Sequence, residues 1–241
     1  MNTTRATLFV GFAMTLPLVA ATVIASAQSS PQATTPPPAT SQVPVYQPPL
    51  RGAPATRIGG ASRGERDSGL ILSVLAPESA GLTSRAQPTL YWYSSKGLAA
   101  PLEFTLNDEQ SIKPLVETKV NASQPGIHAL RLNYTLKPEV EYQWAIAAVA
   151  DPNQRASDII AGGTIQRVQP SATLAAQLKQ AGPPELPFLY AQGGFWYDAI
   201  ATLSEQIDAN PADRGLREQR AALLDQVGLT TAAAHDRGTK P

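Results

Sequence analysis

The chain has 241 residues, no cysteine, and a formal charge of zero from 19 basic and 19 acidic side chains. The lack of thiols excludes disulfides, thiol catalysis, Cys-ligated zinc, iron–sulfur clusters and a lipid-modified N-terminal Cys. The balanced charge leaves no single-sign field for nucleic acid or an acidic membrane surface, and no lipid substrate is implied.

Residues 1–27 read as a secretory signal peptide. Arg5 supplies the positive end, Leu8 to Ile24 an apolar run broken by Pro17, and Ala25-Ser26-Ala27 a small-x-small cleavage site. The alternative is an uncleaved membrane anchor. Either way the folded part is expected outside the cytoplasm, in the periplasm or the extracellular space. Residues 28–66 read as a disordered Pro-rich linker, with eight prolines between Pro31 and Pro54 among Gln, Ser, Thr and Ala. Such composition favours extended polyproline II and buries no core. Its end is basic and glycine-rich, through Arg51, Arg57, Arg63 and Arg66. The stretch from Gly59 to Gly64 is not a phosphate loop, because it lacks the Gly-Lys-Ser/Thr ending and follows no strand.

Residues 67–169 carry strand signals. Leu70, Leu72 and Val74 alternate up to Ala76-Pro77. Leu90 and Trp92 then share one face and Tyr91 and Tyr93 the other. Leu102, Phe104 and Leu106 alternate before the Asn107-Asp108 turn. Leu115–Val120 and His128–Tyr134 follow. In the central stretch Val140, Tyr142, Trp144, Ile146 and Ala148 lie on one side of a period of two. Leu136-x-Pro138 precedes it with a Tyr four residues after the proline, the pattern of a tyrosine corner. Ile159–Val168 is the last strand, and its Gly162-Gly163 predicts a bulge or a close backbone approach. Seven short strands in about 100 residues, separated by turns, predict an immunoglobulin- or fibronectin-like β sandwich.

From Pro170 the period becomes helical. Ser171 is placed to cap a short helix carrying Leu174 and Leu178, ended by Gly182. Trp196, Ile200, Leu203 and Ile207 form one face of a second helix. Asn210-Pro211 is placed to open a third, lined by Leu216, Leu223, Leu224 and Val227 and ended by Gly228. The fold class is therefore mainly β with a helical C-terminal part (α+β), in which a helical hairpin over residues 170–229 packs on the sandwich. Residues 230–241 show no pattern and are expected to be a disordered tail.

Two resemblances follow from these motifs. The helix pair is locally similar to a tetratricopeptide repeat through Ala199, Asn210-Pro211 and Arg220-Ala221-x-Leu223-Leu224, without a second copy at the period of about 34 that an array requires. Across roughly residues 50–230 the chain resembles the exported bacterial proteins grouped as domain of unknown function 928, common in cyanobacteria. That resemblance is carried by Leu70–Pro77, Gly81-Leu82-Thr83, Pro88–Tyr93, Leu136–Ile146 with Tyr142-x-Trp144, and Trp196-Tyr197-Asp198-Ala199. It implies no activity, cofactor or catalytic residue.

The chain contains no zinc-protease or P-loop string. His128 has no nucleophile or carboxylate partner apparent in the sequence, and His235 falls in the tail. Glu103, Asp108 and Glu109 are the densest acids. Without alternating Asp/Asn spacing they read as a solvated turn rather than a calcium loop, and they are the residues a carboxylate-dependent hydrolase would have to use. The aromatic groups are the candidate recognition surface: Tyr91 and Tyr93, and the consecutive Phe195, Trp196 and Tyr197, which one narrow helical stripe cannot bury together. The competing role for them is packing the helices onto the sheet. The expectation is an exported, cofactor-free, non-enzymatic envelope protein. Its partner would be another envelope protein or, alternatively, a surface polysaccharide.

Overall fold

A computed structural model describes residues 42–49, 57 and 69–238. The expected signal peptide and most of the expected linker lie outside the described residues. Eight strands among the described residues form two sheets. They are β1 Leu72–Val74, β2 Gly81–Thr83, β3 Thr89–Ser94, β4 Leu102–Asp108, β5 Val116–Val120, β6 Gly126–Arg131, β7 Glu141–Ala148 and β8 Ile159–Arg167. One sheet has the order β1-β3-β6 and the other β2-β8-β7-β4-β5. Five helices follow: α1 Ala172–Gln180, α2 Leu186–Gln192, α3 Trp196–Ala209, α4 Arg214–Gln226 and α5 Thr230–Arg237. The protein is thus α+β, with the strands first and the helices after them.

The alternation in the central stretch has the predicted effect. Tyr142, Trp144 and Ile146 of β7 are buried, between β4 on one side and β8 on the other. Before β7 the chain turns a corner in which the Lys137 amide donates to the Tyr142 hydroxyl at 3.1 Å. The Gly162-Gly163 pair is a close approach, not a bulge. Its register with Ala145 and Trp144 is unbroken, and a Cβ on Gly163 would stand 2.6 Å from the Cβ of Ala76. The strand the alternation missed is β2. Three residues are too few to show a period, and β2 exists because it pairs in parallel with β8.

The helical part is larger than a hairpin. Ser171 caps α1 by accepting from the Leu174 amide, as its position predicts. Leu186–Gln192, within and after the Pro-rich break, forms α2, with Pro187 in the first turn where a missing N–H leaves no bond unmade. Asp213, not Asn210, caps α4, accepting from Gly215 and Leu216. Residues 230–237, expected as a disordered tail, form α5. Its small Ala232 and Ala233 pack into the core without producing a strong apolar stripe in the sequence. The leader also departs from expectation. Residues 42–49, read as disordered linker, lie against the helices with Pro44 and Tyr46 buried.

Candidate functional site

The five aromatic residues expected to form a recognition surface are all buried. Tyr91 and Tyr93 are 6% and 3% exposed, and Phe195, Trp196 and Tyr197 are 4%, 0% and 2% exposed. The physical reason is that the helices cover the second face of β3, so its alternating side chains are enclosed on both sides. Tyr91 lines a recess with Ser204 of α3 and Arg220 of α4, and the Tyr93 ring lies 5.5 Å from that of His235 on α5. The three consecutive aromatics find three different neighbours. Phe195 packs edge-on to Tyr190, and Trp196 donates from Nε1 to the Leu75 carbonyl at 2.8 Å. The Tyr197 hydroxyl accepts from Trp144 Nε1 at 2.8 Å and donates to the Thr164 carbonyl at 3.0 Å.

The polar candidates are placed as structural groups. His128 stacks on Trp92, and its Nε2 lies 3.0 Å from the Gln124 carbonyl. Burial lowers its pKa against that hydrogen bond. Glu103 receives both terminal nitrogens of Arg155, which hold its carboxyl below the usual range. Asp108 closes its own turn on the Ser111 hydroxyl and the Gln110 amide. Glu109 is exposed.

Two adjoining clefts on the helical side are what the sequence reading missed. The first holds the leader. Gln226 of α4 accepts from the Tyr46 amide at 2.8 Å through Oε1 and donates to the Pro44 carbonyl at 2.9 Å through Nε2, so one side-chain amide stands in for a neighbouring strand. The Gln47 amide donates to the Ala191 carbonyl at 3.0 Å. The Tyr46 ring meets the Trp196 indole edge-on, with centroids 4.9 Å apart. Gly194 adopts φ +81°, and a Cβ there would stand 3.0 Å from the Gln47 carbonyl oxygen, so a side chain at this position would both strain the backbone and crowd the leader.

The second cleft is an open groove of about 700 Å³ that begins at Pro49 and runs between the sheet and α1 and α2. Leu82, Val168, Leu174, Leu189 and Phe195 give it apolar walls, and Gln166, Gln169, Gln177 and Gln192 supply four amides. Its charged lining consists of Glu139 and Glu141. Glu139 holds a left-handed backbone at φ 61°, a conformation costly for a non-glycine residue. It is pinned there because its amide donates to Arg167 and its carbonyl accepts from Gln166.

Two buried carboxylates brace the helices. Asp198 of α3 accepts from the amide and hydroxyl of Ser84 at 2.7 and 3.2 Å and lies 3.3 Å from Arg85 Nε. Burial outweighs these partners and raises its pKa to about 6. Asp236 of α5 makes a two-pronged ion pair with Arg220 of α4 at 2.7 Å for each contact, and Arg220 also donates to the Ser204 hydroxyl.

Sheets, helical cover and clefts define a two-sheet α+β protein whose helices carry an extended segment of the same chain. The chain belongs to the family described as Domain of Unknown Function (DUF928), which matches residues 58–236. That span contains both sheets, the first four helices and all but the last residue of α5, and leaves out the seated leader at 42–49. No curated protein gave a match.

Proposed function

We propose that this chain is an exported, non-catalytic protein-binding or structural module of the cell envelope. The observation that carries the reading is the seating of Pro44–Pro49, in which the fold offers a strand-like amide, a helix-end carbonyl and an aromatic wall to an extended polypeptide. Export rests on the charged start, apolar run and Ala-x-Ala site of residues 1–27. The three- and five-stranded sheets and the Tyr142 corner support reading the β part as an immunoglobulin-like sandwich, an architecture that hosts many kinds of recognition.

A photo-cross-linking residue in place of Gln177, exposed in the open groove, tests this in living cells. The expected product is a discrete covalent adduct with one envelope protein. Recovery of no protein adduct would remove the reading. A surface carbohydrate-binding role is the second reading, favoured by the four glutamines and two glutamates beside the Phe195 wall, which suit a hydroxyl-rich ligand. Retention of the protein by a polysaccharide column, with loss on Gln166→Ala, would select it.

A further inference from the structure

We propose that the cleft formed by Ala191, Gly194, Trp196 and Gln226 is a receptor for extended, proline-flanked aromatic peptides of a partner protein. Pro44–Pro49 is its resident and displaceable ligand. The inference rests on the protein-binding reading and names the class of partner.

The cleft reads main chain before side chain. Gln226 takes the N–H of one leader residue and the C=O of the residue two before it, and Ala191 takes the next N–H. These bonds are open to any extended segment of suitable register. Side-chain selection is confined to alternate positions. Pro44 and Tyr46 point inward and are buried, whereas Val43 and Val45 are 39% and 54% exposed. The rule for a ligand is therefore an aromatic residue in the Tyr46 place, proline two residues before it and prolines shortly after. Proline pre-extends the backbone, so little conformational freedom is lost on docking.

Three observations make the resident segment a ligand of the cleft and not part of its wall. It lies outside the family match, while all four cleft residues lie inside it. The Gly194 floor is shaped to let main chain approach, since a Cβ there would stand 3.0 Å from the Gln47 carbonyl oxygen. The Tyr46 hydroxyl is buried with no hydrogen-bond partner among the described residues, so the native segment is not the tightest occupant the site admits. Tethering supplies an effective concentration on the order of 1 mM. With an intrinsic Kd of roughly 0.1 mM the cleft would stand open about a tenth of the time, within reach of a competing segment.

The test uses full-length protein and a synthetic octapeptide of the Gln42–Pro49 sequence, with titration followed by tryptophan fluorescence. Tyr46→Ala, which weakens the resident segment, is expected to bind the peptide up to about tenfold more tightly than wild type does. The peptide with Phe in place of Tyr is expected to bind several-fold more tightly still, and the Ala version not to bind. A folded Tyr46→Ala protein that ignores the peptide overturns the proposal. If Tyr46→Ala fails to fold, hydrogen exchange of the wild-type Gln47 amide decides: faster exchange under millimolar peptide supports displacement, and unchanged exchange overturns it. The Gln177 cross-link reports from the other cleft, so a protein adduct there alongside a failed peptide titration would leave the protein-binding reading standing without this one.

Discussion

Asp198 joins the strands to the helices through a buried carboxyl that accepts from the Ser84 amide. In the sequence it is the third residue of an aromatic-rich helix start. In the structure it is fully enclosed and ties the β2–β3 connection to α3 through Ser84 and Arg85. Because burial raises its pKa to about 6, the folded protein holds a proton between about pH 4 and 6 that the unfolded chain has released. Stability from this group is therefore greatest below about pH 4, falls as pH rises to about 6, and is level above. The difference is on the order of 3 kcal/mol. Asp198→Asn should remove that component, and urea midpoints of the two proteins between pH 3.5 and 7 measure it. Parallel pH profiles would show that the site does not titrate as described. The aromatic residues make the complementary point. Their types were legible as contact-forming, but Tyr91, Tyr93, Phe195, Trp196 and Tyr197 contact the protein's own helices and sheets.

At the scale of elements, periodicity identified the strands that are buried on one face of a sheet and the long helix α3. It failed where an element is short or is made by its neighbours. The three-residue β2 is one such case. The alanine-rich α5 is another, because Ala232 and Ala233 fit a tight contact without supplying an apolar stripe. Its anchor, Asp236 with Arg220, joins residues of two helices that no local pattern relates. Asp236→Ala strands a buried guanidinium and should cost about 3–5 kcal/mol in chemical denaturation. Arg220→Met combined with Asp236→Leu should recover most of that loss, since it removes both buried charges. A double variant as unstable as the single one would place the contribution of α5 elsewhere.

At the scale of the whole molecule, sheets and helices share one core. Trp144, Tyr197 and Thr164 form a continuous hydrogen-bonded link from β7 through α3 to β8, and Trp196 bonds Leu75 beside β1. Sheet and helices should therefore melt together, with ellipticity at 222 nm and near-ultraviolet tryptophan signals sharing one midpoint. Two separated transitions would mean that the helices are an appended unit. By itself the sequence determined the chemistry that thiols would have provided and that this chain lacks, the division into a β part followed by a helical part, the buried side of the central strand and the family to which the motifs belong. Those features are local, because composition and spacing act over a few residues. The tertiary structure decided what lies outside. The helices close over β3, α5 carries the acid for Arg220, and a Pro-rich stretch with no core of its own finds a seat. Each depends on surfaces brought together from distant parts of the chain, and whether an aromatic ring meets water or another ring is settled only when those surfaces meet.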